Sequence, residues 1–163
     1  MLTLGSGAAL VFLIVTTPIA FIAAFNDLKR MKLPNAVVLT LAAAYVVVAP
    51  FVLPFEQYLW GFTHGVALYV VGIFLFLFAG VGAGDGKFAA AMAMFIPLAD
   101  AGAVLMLFAA FLLGAFAAHR AMRAIPALRR ATPDWVSWGH AKFPMGLALT
   151  GTMVSYFALA AFL

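Results

Sequence analysis

The chain has 163 residues, 67% of them hydrophobic and only 9% charged, with a mean hydropathy of +1.17. Soluble domains run at about 45–50% apolar and about 25% charged, so an ordinary soluble globule is excluded, as is a large soluble domain on a membrane anchor. The absence of cysteine removes disulfides, thiolate metal sites and thiol nucleophiles together. The formal charge of +4 does not mark a nucleic-acid partner, because the basic residues sit in short connectors and form no patch interleaved with aromatics.

Apolar runs fall near 7–26, 36–54, 58–80, 88–98, 101–118 and 143–162. The first is read as a retained helix. It lacks a basic n-region, exceeds the roughly 7–15 residues of a signal-peptide core, and is followed by its basic residues rather than preceded by them. A helix needs about 20 apolar residues to cross a bilayer core, and five runs approach that length. The fourth covers only about 16 Å at 1.5 Å per residue and contains Pro97. It either extends back through the glycine-rich stretch before it or begins below the membrane surface beside a water-accessible cavity, because lipid does not tolerate unpaired backbone.

All nine Lys and Arg lie in connectors one, three and five: Lys29, Arg30 and Lys32; Lys87; and Arg120, Arg123, Arg129, Arg130 and Lys142. Connectors two and four carry only Glu56 and Asp100. This asymmetry predicts an all-α, six-span bundle in the inner membrane. Residues 1–163 form one integral-membrane domain, with the basic connectors cytoplasmic and both termini outside. Tyr58, Trp60, Trp135 and Trp138 are expected in interfacial belts. The polar stretch 119–142 is expected to hold an amphipathic helix, with Arg120, Arg123, Arg129 and Arg130 facing the phosphates of membrane lipid.

Of the five acidic residues, Glu56 and Asp100 read as solvated loop residues, and Asp134, after Pro133, suits a turn. Asp27 closes the first apolar run, where the helix dipole disfavours a carboxylate. An ion pair with Lys29, Arg30 or Lys32 explains it as well as a functional role does. Capping of the next helix explains it less well, since Pro34 and Asn35 already supply a break and a cap. Asp85 lies in Gly80-Val81-Gly82-Ala83-Gly84-Asp85-Gly86-Lys87, a run whose glycines permit close backbone approach. A carboxylate near membrane depth is expensive unless it is paired, here with Lys87, or functional.

The glycine-rich run is no phosphate loop: Val81 and Phe88 stand where the Walker pattern needs Gly and Ser or Thr, and the dinucleotide pattern fails too. His64, His119 and His140 are separated and lack an acidic cluster, so no metal is expected, and no cofactor is implied. Asp27 and Asp85, at the ends of runs facing the same side, form the one constellation that carries chemistry. Two converging carboxylates share a proton. One can then act as base toward a water while its neighbour donates to the oxyanion and later to the leaving nitrogen. The competing reading is a small proton- or cation-coupled transporter, disfavoured because transporter sites lie near the midplane. A third is a non-catalytic membrane subunit with the glycines as packing devices.

Gly82-Ala83-Gly84-Asp85-Gly86-Lys87 resembles the G-x-G-D-x-K signature of the type IV prepilin peptidases, which are intramembrane aspartyl proteases. Asp27 followed by Leu33-Pro34-Asn35 resembles the family's other motif, an aspartate several residues before an Ile-Pro-Asn-like triplet. Pro144-Met145-Gly146 resembles its Pro-Tyr-Gly, with Met145 in place of tyrosine. The resemblance implies that Asp27 and Asp85 are catalytic. Gly82, Gly84, Gly86, Lys87, Pro34 and Asn35 then bind substrate or support the loop. The implied partner is a prepilin or pseudopilin precursor, whose short basic leader is removed at the cytoplasmic face. Without the paired Cys-x-x-Cys motifs of longer members, the chain is similar to the short, peptidase-only forms of tight-adherence pili or preflagellins.

Overall fold

The structure, a computed structural model, describes residues 2–163, and among these no strand occurs. Seven α-helices follow in order: α1 (Ser6–Arg30), α2 (Asn35–Val52), α3 (Phe55–Ala79), α4 (Ala83–Ala93), α5 (Ala101–Arg123), α6 (Pro126–Ala131) and α7 (Gly146–Phe162). Short 3-10 turns at Leu98–Asp100 and Val136–Trp138 join them.

Four helices are long and apolar enough to cross a membrane: α1, α2, α3, and α5 with its preceding turn, Leu98–Arg123. Helix α7 is apolar but has 17 residues, and α4 has only 11. By length and composition, then, four helices qualify as crossings, and α4 and α7 fall short of that length. Helices α3 and α5 are mostly uncovered, and Phe74, Leu77, Phe78, Leu105 and Met106 are exposed. An apolar outer surface is what a lipid solvent favours, since only the backbone must be satisfied internally.

The core lies where α1 packs along α7, with α4 filling the space between α2, α3 and α7. Phe95, just beyond α4, is its hub, with ring centroids 5.0 Å from Phe12, 5.0 Å from Tyr45 and 6.0 Å from Phe157. These edge-to-face geometries are the favourable ones for aromatic rings. On the α3 side the backbones themselves touch: a Cβ built on Gly72 would stand 3.1 Å from the Gly86 Cα, and one on Gly86 the same distance from the Gly72 Cα. Small residues permit such contact where apolar helices associate through packing.

Three sequence expectations need correction. Asp100 is not a solvated loop residue; it is 2% exposed. Its carboxylate accepts the Thr3 backbone N–H at 2.8 Å, the Thr3 hydroxyl at 3.0 Å, the Leu4 N–H at 3.2 Å and the Tyr156 hydroxyl at 2.7 Å. The N-terminal residues fold over the start of α5, bringing donors that a reading of connectors alone does not foresee. Trp138 is buried inside the protein, stacked on His119 at 5.1 Å. His119 itself belongs to α5, and neither of its ring nitrogens has a partner among the described residues. The expected amphipathic helix over 119–142 shrinks to the six exposed residues of α6, because Pro126, Pro133 and the turn at Val136–Trp138 break the run. Glu56 is exposed in the first turn of α3, and Asp134 is exposed in a turn.

Removing the Asp100 carboxylate strands two backbone N–H groups and a tyrosine hydroxyl in a buried place. Asp100→Ala is therefore expected to destabilise the protein by about 3 kcal/mol, read as a lower thermal-denaturation midpoint in detergent. An unchanged midpoint would show that the clamp contributes nothing.

Candidate active site

Helix α1 runs past Asp27 to Arg30 and closes at Met31, which adopts a left-handed conformation with its N–H on the Asp27 carbonyl. The chain then turns through Leu33 and Pro34. Pro34 is extended, at φ −63° and ψ 142°, and sits at the cap position of α2 without a side-chain hydrogen bond. Asn35 is the first residue of α2 rather than its cap. Its side-chain oxygen accepts from Lys87 Nζ at 3.1 Å, so Lys87 ties α4 to α2 and is not the partner of Asp85.

The glycine-rich run is explained position by position. Gly80 ends α3 with φ +67°, a conformation that only glycine adopts freely. Gly82 caps α4, and the Asp85 carboxylate, at the third helical position, lies against it, where the Gly82 backbone N–H favours its charge. The helix dipole favours the charge there as well. A Cβ on Gly84 would stand 3.1 Å from the Leu33 carbonyl oxygen, so the turn after α1 lies directly on the turn before Asp85. Gly86 makes the backbone contact with Gly72 described above.

Asp27 finds its partner on α7. The Gly146 N–H, the first of that helix, donates to its Oδ2 at 2.7 Å. The carboxylate that is poorly placed on its own helix thus serves the N-terminus of another, where N–H groups lack partners. Asp27 is 4% exposed. A Cβ on Gly146 would meet Asp27 Oδ2 at 2.8 Å and its Cβ at 3.0 Å, so only glycine admits this approach.

Both carboxylates therefore lie at one end of the bundle, and the Asp27 charge is felt at Asp85. Asp85 precedes the apolar part of α4, outside the long spans. Burial, chiefly, and the Asp27 charge push its carboxyl up to about 6, against the pull of the Gly82 N–H and of Lys142. Among the described residues, no three His, Asp or Glu side chains gather as a metal set. Gly146 stands at this site in a triplet the sequence marked as a motif but gave no site role, and Lys142 stands there without having been singled out. The Pro144-Met145-Gly146 triplet was the available signal for Gly146, whereas Lys142 was legible only as a topology charge.

Two carboxylates, Asp27 buried and Asp85 half-buried, thus stand at one end of an apolar helical bundle. The model of the type IV leader peptidase family matches residues 8–119, more than half of the chain, and the protein belongs to that family of aspartic peptidases. No curated protein and no solved structure matches the chain.

Enlarging Gly146 overpacks the Asp27 contact. Gly146→Ala is expected to lower stability by about 1–3 kcal/mol, whereas Gly102→Ala, which meets nothing within 4 Å, leaves it unchanged or slightly raised. Thermal denaturation of the two variants in detergent checks the contrast.

Proposed function

We propose that the protein removes the short basic leader from prepilin-like precursors at the cytoplasmic face of the inner membrane, with Asp27 and Asp85 as the catalytic pair. The observation that carries this reading is the convergence of the two carboxylates at one end of the bundle, each at the N-terminus of a helix. The pair holds one shared proton, as like charges held close together require. The ionised member takes a proton from water as its oxygen attacks the scissile carbonyl. The protonated member donates to the developing oxyanion. In the collapse of the tetrahedral adduct the C–N bond breaks and the leaving nitrogen takes a proton from the dyad.

Gly82, Gly84 and Gly86 keep the Asp85 turn thin enough to lie against the Leu33–Asn35 turn and α3. Lys87 and Asn35 lock α4 to α2 beside it, and Pro34 sets the entry to α2. In the membrane the apolar parts of α4 and α7 complete six passes around a single domain, residues 1–163. The basic connectors are cytoplasmic and both termini outside, as the one-sided placement of all nine Lys and Arg supports. A precursor with a basic leader and an apolar helix lies in the same bilayer, with its junction at the depth of the two aspartates. Glycine as the last leader residue suits close approach to the glycine-rich turn.

Co-expression with a prepilin, followed by gel analysis of leader loss, tests the catalytic pair. Wild type is expected to process the precursor, and Asp27→Asn and Asp85→Asn, at matched membrane levels, to lose processing completely. Survival of cleavage in both variants removes the two residues from catalysis. A bulky residue in place of the substrate's last leader residue is expected to abolish processing, and unimpaired cleavage would rule out the close-approach requirement. Because Asp85 holds its proton up to about 6, the monoprotonated pair is depleted as the pH rises further. Initial rates in membranes should therefore fall as the pH is raised above about 6; a rate rising steadily to pH 9 contradicts the shared proton.

A further inference from the structure

Within five residues the connector leading into α7 touches Asp27 and the turn that leads to Asp85. At its far end the Gly146 N–H holds Asp27 at 2.7 Å. At its near end Lys142 Nζ donates to the Gly80 carbonyl at 2.9 Å, across 62 residues of sequence. Gly80 is the left-handed residue that ends α3 and opens the turn toward Asp85. The Lys142 backbone N–H donates to Nδ1 of His140 at 3.0 Å, which fixes the local turn from which the side chain reaches out. Lys87, the cation nearest Asp85 in sequence, is engaged with Asn35.

We propose that Lys142 is a positioning residue for the dyad: it fastens the mouth of the glycine-rich turn to the connector that holds Asp27. The proposal rests on the catalytic reading of the two aspartates. Two effects combine in one side chain. The hydrogen bond to Gly80 fixes the turn, because an ammonium on a carbonyl is a charge-assisted bond. The charge also opposes the field of Asp27 at Asp85. The groups acting on Asp85 are Asp27 from α1, Lys142 from the connector and the Gly82 N–H of its own turn, while His140 acts on Asp27. Lys142 is thus the one cation that acts on Asp85 from outside its own helix, and its loss leaves Asp85 facing Asp27 without compensation.

Lys142→Met and Lys142→Arg, compared with wild type, Asp27→Asn and Asp85→Asn at matched membrane levels, separate the possibilities. The readouts are kcat, KM and the pH profile for cleavage of one prepilin. In Lys142→Met the maximal kcat is expected to fall about tenfold or more with little change in KM. The alkaline limb should move up by roughly half a pH unit or more, because removing a nearby cation makes a carboxyl harder to ionise. Lys142→Arg, which keeps the charge and a donor, is expected to restore both. If Lys142→Met retains wild-type kcat and pH profile while the Asn variants are inactive, the proposal fails and the dyad stands. A fall in kcat with no movement of the limb reduces Lys142 to a structural tie and also overturns it. Cleavage by the Asn variants overturns the dyad and the proposal with it. Should Lys142→Met fail to accumulate in the membrane, Lys142→Gln carries the same comparison.

Discussion

The hydrogen bond from the Gly146 N–H to Asp27 organises this end of the molecule. It joins the C-terminal part of α1 to the first residue of α7, the two helices that pack most extensively in the core. A buried carboxylate needs donors or a counter-charge to remain in an apolar protein, and the start of a helix offers N–H groups that have no partner of their own. Asp85 lies differently, in the first turn of its own helix against the Gly82 cap. Each acid thus lies against backbone rather than against a long flexible side chain, and backbone anchorage fixes position with little loss of side-chain entropy. The two anchors meet because the turns that carry them are thin: Leu33 rests on Gly84, and Gly146 rests on Asp27.

The helical class, the order of the apolar segments and the location of the acids at their ends were all legible in the sequence. Apolar run length and glycine punctuation are local properties: the glycines before the run at 88–98 become the capped start of α4, which ends at Ala93 within the run. Asp27 was read with alternatives open, since its own helix argues against it. Its partner lies 119 residues away, and no spacing rule reaches that far. Asp100, read as a solvated loop residue, is buried for the same reason, its donors coming from Thr3, Leu4 and Tyr156. Of the six apolar runs, those of α4 and α7 form helices of only 11 and 17 residues. His119 and Trp138 pack on each other across a break in the chain that looked like one polar connector.

The molecule divides its labour between its two ends. At one end aromatic rings and the Asp100 clamp bind α2, α3, α5 and α7 together, and the interior is dense. At the other stand the glycines, the short turns and the two carboxylates. A peptidase in a membrane needs both, since hydrolysis demands water while the surrounding lipid punishes every unpaired polar group. Confining the polar chemistry to the helix ends satisfies both demands with the same few residues.

Gly72, Gly84, Gly86 and Gly146 share a property that changes how substitutions in this protein are to be interpreted. In most cores, alanine scanning removes atoms, and its damage measures what the missing side chain contributed. At these four positions there is nothing to remove, and alanine is the enlarging change, driven into Gly86, Leu33, Gly72 or Asp27 respectively. The usual hierarchy of mild and severe replacements therefore runs backward here: severity grows with every atom added. A larger residue at any of them is accommodated only if the neighbouring backbone or side chain gives way.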